Sequence, residues 1–244
     1  MTLRPPRRPL RARLGEERGV ALVIALMAML LMTALGTALV LTTMTETKIA
    51  GNYRGGYEAL YAADGAVERV MQDILTVPNW DDILSGAVTS AFIDGAPSGM
   101  RTMPDGTQID LTQATNMARC GKLACSAADL VEITDERPWG VNNPKWQLYA
   151  YGPLEDMIPT GTVRSRQYVI VWIADDTSEN DNDPEKDGQP PAGCANPCAT
   201  SNLGRGVLAM LAQAWGPDGT TRTIEVTVAR TDTTELERGY TGQR

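Results

Sequence analysis

The sequence predicts an α+β protein in which one long N-terminal helix packs on an antiparallel β-sheet. Three observations support this fold class. An uncharged apolar run occupies residues 20–41, an amphipathic helical pattern continues it from residue 46 to residue 75, and strand patterns appear only after residue 145. A helical stretch followed by a run of strands is typical of the α+β class.

The apolar run, VALVIALMAMLLMTALGTALVL, predicts a helix that crosses a membrane or is buried among other helices. Its 22 residues would span roughly 33 Å at about 1.5 Å per residue, and a hydrocarbon core is about 30 Å thick. A helix at the surface of a soluble core would show a polar stripe at the helical period. This run shows none.

A basic segment precedes the apolar run. Residues 1–18 contain six arginines and two glutamates, which predicts a cytoplasmic N-terminus under the positive-inside rule. The apolar run is longer than that of a cleaved secretory signal, and no small-residue cleavage site follows it. Instead a small residue, Gly19, stands directly before the run.

After the run, apolar residues at steps of three or four predict one helix face that packs on the globular domain. They are Ile49, Tyr53, Tyr57, Leu60, Ala63, Val67, Met71 and Ile74. Three glycines, Gly51, Gly55 and Gly56, interrupt this pattern and predict either a kink or a flexible joint. Pro78 is expected to end the helix.

From Arg18 to about Leu75 the chain resembles the N-terminal region of the PilX-type minor pilins of type IV pilus systems. The resemblance rests on Arg18-Gly19 before the span, on residues 49–52 (IAGN) after it, and on residues 59–69 (ALYAADGAVER). It implies a pilin-like fold. It also implies that prepilin peptidase cleaves between Gly19 and Val20, and that the new N-terminus is methylated.

The resemblance also implies partners and a location. These are other major and minor pilins, contacted through the N-terminal helix, and a PilY-type tip adhesin. The precursor would cross the inner membrane once, and the mature protein would lie in the periplasm or at the cell surface within a pilus. The fifth mature residue would be Ile24, where major pilins carry a glutamate that pairs with a neighbouring subunit.

A missing glutamate favours a subunit at or near the filament tip, which has no neighbour above it to pair with. The GspK-type pseudopilins of type II secretion systems share this missing glutamate, and such a pseudopilin is the alternative interpretation. A third interpretation is a signal-anchored periplasmic domain.

The predicted layout has six segments. They are a leader at 1–19, an assembly helix at 20–45, its amphipathic continuation at 46–76, a variable loop-rich segment at 77–145, a sheet at 146–230 and a flexible tail at 231–244.

Within the sheet region, β-branched and aromatic residues predict four strands. The expected ranges are 146–151, 167–174, 206–215 and 221–229. The second is apolar on both faces and should be a central strand. Gly216-Pro217-Asp218-Gly219 joins the last two strands as a hairpin turn. The segment at 79–145 is expected to contain loops, a short helix and an edge hairpin.

The composition argues against nucleic-acid binding and against catalysis. The formal charge is −8, and removal of the leader would leave −12 on the side chains, whereas phosphate binding needs clustered cations. There is no histidine, the commonest general acid or base at neutral pH. No glycine-rich phosphate loop or nucleophile elbow is found. The sequence therefore predicts a structural protein rather than an enzyme.

The four cysteines form two close pairs, Cys120 with Cys125 and Cys194 with Cys198. An exported domain lies in an oxidising compartment, where an even number of cysteines indicates disulfides. Three connectivities are possible, and the two local pairs are favoured. Zinc is disfavoured, because the spacings do not match those of structural zinc sites and the chain has no histidine.

An acidic loop follows the predicted central strand. Residues 175–188 contain seven carboxylates and one lysine, and hard cations such as calcium take six to eight oxygen ligands. The predicted calcium ligands are Asp176, Asn180, Asp181, Asp183 and Asp187. The loop is not an EF-hand, because Lys186 and Ala192 stand where that motif needs glycine and glutamate. A solvated acidic loop without an ion is the alternative.

Overall fold

A computed structural model of the chain describes residues 17–158, 164–179, 181–188 and 206–230. It divides into two compact units, one up to Tyr53 and one from Arg54 onward. Helix α1 (Glu17–Ile74) is continuous through this division. A long N-terminal helix followed by an antiparallel sheet confirms the α+β, pilin-like fold class.

The C-terminal part of α1 buries a face made of small residues. Its members are Ala59, Ala62, Ala63, Ala66, Val67, Val70 and Ile74, each at most 4% exposed. Only the last part of the predicted apolar stripe lies on this face, because Tyr57 and Leu60 remain 45% and 37% exposed. The alanines, which have no long side chain, allow the helix to lie close to the sheet.

Two of the glycines lie where another part of the same unit approaches the helix. A Cβ atom at Gly55 would lie 3.2 Å from Thr220 Oγ1, and one at Gly56 would lie 2.8 Å from a guanidinium nitrogen of Arg222. The helix continues through both positions. These contacts leave little space for a larger side chain at either position.

Helix α1 ends at Ile74, four residues before Pro78. A turn follows, in which the N–H groups of Thr76 and Val77 donate to the carbonyls of Asp73 and Ile74, each at 3.1 Å. The chain has therefore already left the helix when it reaches the proline, which is not the terminating residue.

The main sheet has four antiparallel strands, which pair in the order in which they occur along the chain. The strands are β3 (Gln147–Pro153), β4 (Tyr168–Asp175), β5 (Val207–Trp215) and β6 (Thr221–Ala229). The last two form the predicted hairpin, which is closed by Gly216 N–H donating to the Thr220 carbonyl at 2.7 Å. A four-residue helix, α5 (Leu154–Met157), directly follows β3.

Strand β4 is the centre of the core, because every one of its residues is buried. Val169, Val171 and Ile173 belong to the cluster that contains the alanine face of α1. Ile170, Trp172 and Ala174 belong to a second cluster, which contains Leu111. Neighbouring side chains on a strand point to opposite faces, so the sheet is covered on both sides.

The segment between α1 and the sheet is more regular than the sequence predicted. It contains α2 (Asp81–Leu84), the hairpin strands β1 (Met100–Thr102) and β2 (Gln108–Asp110), α3 (Leu111–Cys120) and α4 (Ala127–Val131). The hairpin forms its own two-stranded sheet rather than an edge of the main one.

Helix α3 covers the second face of the main sheet. Asp110 caps its N-terminus by accepting from the N–H groups of Thr112 and Gln113. Gly121, with a φ of +72°, ends it in the left-handed conformation that favours glycine. The buried Trp172 indole N–H donates to Thr115 Oγ1 at 3.0 Å, which joins α3 to the central strand.

Candidate functional site

The apolar part of α1 exposes its large side chains. Leu30 and Met32 are each 72% exposed, and the other leucines, methionines and valines of the run are at least 50% exposed. By length and composition this helix can cross a membrane, and it is the one helix of the described chain that can. An apolar surface of this size in water marks a membrane or protein contact.

The few polar side chains of this part satisfy their own hydrogen bonds. The hydroxyls of Thr33, Thr37 and Thr42 donate to carbonyls three or four residues earlier, at 2.8–3.0 Å. A polar group in an apolar environment is costly unless it has such a partner. This part of the helix is therefore compatible with a lipid or protein environment over its whole surface.

The predicted processing residues, Gly19 and Val20, lie near the start of the described helix. Val20 is 61% exposed, and nothing lies within 4 Å of the position of a Cβ atom at Gly19. Ile24 is 62% exposed and continues the apolar surface. Cleavage between Gly19 and Val20 stays a prediction.

The acidic loop begins where β4 ends, at Asp175. Its first turn is held by Asp176, whose carboxylate accepts from the Ser178 hydroxyl and whose carbonyl accepts from Glu179 N–H at 3.2 Å. Asn182 has a φ of +62°, a left-handed conformation that asparagine tolerates better than most residues. These turns bring the chain back toward the end of the strand.

Three carboxylates meet at this point. Asp175, Glu179 and Asp181 each place one oxygen so that the three atoms lie within 4.8 Å of one another. Asp175 is 6% exposed and Glu179 is 3% exposed. Asp175 Oδ1 and Glu179 Oε1 are buried without a hydrogen-bond partner in the described part of the chain. The other oxygen of Glu179 accepts from Gly188 N–H at 2.8 Å.

Burial and nearby carboxylates make ionisation of these groups unfavourable. Burial, followed by the charge of Glu179, raises the pKa of Asp175 to about 9. Burial raises the pKa of Glu179 to about 7, although the Gly188 N–H acts in the opposite direction. Two buried carboxyls with raised pKa values beside a third carboxylate form an arrangement that a bound cation would stabilise in the charged form.

Of the predicted calcium ligands, Asp181 is the one that belongs to this cluster. Asp183 Oδ1 accepts from Glu185 N–H at 3.2 Å, and Asp187 Oδ1 accepts from Gly206 N–H at 2.6 Å. Asp176 is engaged with Ser178. Asn180 lies outside the described residues.

Sequence reasoning missed Asp175 and Glu179 as site residues. The signal in the sequence was that the two carboxylates are four residues apart and that the first, Asp175, ends a strand that is buried on both faces. The composition and spacing of the loop instead predicted the later aspartates as ligands. Burial, which distinguishes these two from the other acidic residues of the loop, is not visible in composition.

Cys120 and Cys125 form a disulfide, as predicted. It joins the last residue of α3 to the residue before Ser126, which caps α4 by accepting from Asp129 N–H at 3.3 Å. The bond therefore holds the two helices together. The second predicted pair, Cys194 and Cys198, lies outside the described residues.

Comparison with known families identifies the N-terminal region. Residues 18–68 match the family model described as PilX N-terminal. The match covers 51 of the 244 residues. This confirms the resemblance to PilX-type minor pilins over the part of the sequence where it was recognised. The match covers the apolar part of α1 and most of its buried alanine face.

No curated protein and no solved structure matches the chain. The match to the PilX N-terminal family model is consistent with a minor pilin of a type IV pilus. The apolar N-terminal helix fits a membrane-anchored component of such a system.

Proposed function

We propose that this protein is a minor pilin, a non-catalytic structural subunit of a type IV pilus that acts at or near the tip in assembly and adhesin presentation. The observation that carries the proposal is the PilX N-terminal match, which coincides with a helix whose apolar half is exposed and whose other half is buried on a sheet. Such a helix needs a second environment besides its own domain.

The precursor is inserted with its N-terminus in the cytoplasm, and prepilin peptidase cleaves it between Gly19 and Val20. The apolar helix then leaves the bilayer and packs against the helices of other pilins, which replaces lipid contacts with protein contacts. The threonine hydroxyls are bonded to their own helix, so this transfer leaves them satisfied. The mature N-terminus is methylated.

A tip position is supported by Ile24, the fifth residue after the proposed cleavage. A buried glutamate in a membrane or filament needs a partner. A subunit with no neighbour above it has no such partner, and an isoleucine there avoids an unpaired charge. The domain from Arg54 onward is then free to contact other minor pilins and a PilY-type tip adhesin.

Filament fractions test the proposal. Pili sheared from wild-type cells should contain this chain in small amounts relative to the major pilin, and a strain without prepilin peptidase should retain it in the inner membrane. Deletion of the chain should reduce the number of surface pili. Normal pili in the deletion strain, with no chain in the sheared fraction, would overturn the proposal.

A GspK-type pseudopilin of a type II secretion system is the second candidate, because it shares the apolar fifth residue. The same deletion strain separates the two. Loss of secreted enzymes from the medium with normal pili would favour the secretion system, whereas loss of pili with normal secretion favours the pilus.

A further inference from the structure

Asp175 and Glu179 are the two acidic residues of the described chain whose side chains are buried. They are 6% and 3% exposed, and each has one oxygen without a hydrogen-bond partner among the described residues. A buried carboxylate is unfavourable unless it is paired, hydrogen-bonded or bound to a metal. The arrangement therefore requires a counter-charge or protonation of both groups.

The charges that act most strongly on the two carboxyls are other carboxylates, including Asp181 and Asp187. The lysine of the loop, Lys186, pairs with Asp81 at 3.5 Å, and Lys145 pairs with Glu185. These lysines are therefore engaged by carboxylates outside the cluster. Repulsion among the cluster carboxylates favours a bound cation.

We propose that Asp175, Glu179 and Asp181 bind a calcium ion. One oxygen from each lies within 4.8 Å of the other two, and ligands at the usual calcium distance of about 2.4 Å are at most about 5 Å apart. The ligand set contains only oxygen, which suits a hard cation rather than zinc or copper. Bidentate carboxylates, main-chain carbonyls and water complete the shell.

The ion would join the end of the central strand to the returning loop. That loop contacts two other elements: Asp187 N–H donates to Asp81 Oδ1 of α2 at 2.9 Å, and Gly206 N–H, next to β5, donates to Asp187 Oδ1 at 2.6 Å. The Asn142 amide donates to the Glu179 carbonyl at 2.9 Å. Calcium bound to Asp175 and Glu179 therefore stabilises a junction of four parts of the domain.

Calorimetric titration of the chelator-stripped full-length chain in detergent tests the site. Wild-type protein should bind one calcium ion per chain, with magnesium binding at least about tenfold more weakly because it favours a smaller, octahedral shell. Asp175→Asn and Glu179→Gln should each weaken calcium binding by about tenfold or more, since each removes a charged ligand of similar shape. Asp183→Asn is the matched control and should leave the affinity within about threefold.

Thermal unfolding in chelator and in calcium distinguishes a variant that has lost calcium binding from one that has lost its fold. Calcium should raise the unfolding temperature of the wild type and of Asp183→Asn. Asp175→Asn should be at least as stable as the wild type in chelator, because it removes a buried carboxylate, and calcium should raise its unfolding temperature by less than that of the wild type.

Absence of calcium binding by the wild type would overturn the proposal. So would binding that survives Asp175→Asn and Glu179→Gln but is lost in Asp183→Asn, because that result would place the ion on the outer part of the loop. The proposal does not depend on the pilin function, and the two can fail separately.

Discussion

The two parts of helix α1 differ in what covers them. From Val20 to Leu41 the large side chains are exposed, and they are leucine, methionine, isoleucine and valine. From Ala59 to Ile74 one face is fully buried, and most of its members are alanine. The second part has its packing partner within the same domain. The first part has an apolar surface whose partner must be supplied by a membrane or by other subunits.

The residue types follow from these two environments. A helix that packs on a sheet gains from small side chains, which allow close approach and good packing. A helix that must be stable first in lipid and then among other helices gains from an apolar surface over its whole circumference. The following changes are expected to affect either the exposed part of α1 or the domain that covers its second part, and they are ordered from the largest effect to the smallest.

Leu30→Arg should have the largest effect and should act on the first part alone. A charge near the centre of the span costs roughly 2.5–3.5 kcal/mol in membrane insertion. The chain should be lost from the membrane and filament fractions, as measured by immunoblot. Thr47→Arg, beyond the apolar run, is the control and should be retained. Retention of the Leu30→Arg variant would show that the run does not lie in lipid or between helices.

Ala66→Leu should affect the second part. Ala66 is fully buried, and inserting a larger side chain into a packed core costs about 1–3 kcal/mol. The unfolding temperature of the domain should fall by several degrees in a thermal melt. Ala28→Leu makes the same change in the exposed part and should leave the melt unchanged. Equal effects of both variants would contradict the difference between the two parts of α1.

Thr115→Val tests the second cluster of the core, on the face of the sheet that α3 covers and that lies opposite to α1. It removes the acceptor of the Trp172 indole N–H, which is bonded at 3.0 Å on the opposite face of the sheet. A buried donor without an acceptor costs about 1–2 kcal/mol. The free energy of unfolding in urea should fall by that amount, while membrane insertion stays normal. Thr115→Ser keeps the hydroxyl and should lie closer to the wild type.

Gly51→Ala and Gly55→Ala should have the smallest effects and should differ from each other. A Cβ at Gly51 meets nothing within 4 Å, whereas one at Gly55 lies 3.2 Å from Thr220 Oγ1. Alanine in a helix is favoured over glycine by up to about 1 kcal/mol. Amide hydrogen exchange around residue 51 should therefore slow in Gly51→Ala, with less gain in Gly55→Ala. Impaired pilus assembly in Gly51→Ala alone would indicate a flexible joint.

The sequence predicted the elements whose pattern is regular over many residues. The apolar run, the central strand and the β5–β6 hairpin were recognisable because each has a strong periodicity or turn signal. The segment at 77–145 was not, because its helices are short and are specified by caps such as Asp110 and Ser126 rather than by periodicity.

The buried face of α1 shows a second limit of periodicity. Tyr57 and Leu60 have the right spacing but are exposed, while Ala59, Ala62 and Ala66 are buried. Hydrophobic spacing predicts that the large residues are buried, whereas the residues that pack against the sheet are mostly the small ones. The calcium ligands predicted from the sequence lie mostly later in the loop than the observed cluster for a similar reason. The burial of Asp175 and Glu179 depends on tertiary packing, which the sequence pattern does not show.

The measurement that tests the central claim most directly is the N-terminal mass of the protein from cells with and without active prepilin peptidase. The proposed function predicts that Val20, methylated at its amine, is the first residue only when the peptidase is active. A protein that keeps residues 1–19 in both strains would contradict processing and assembly as a pilin, and the chain would then be a membrane-anchored domain.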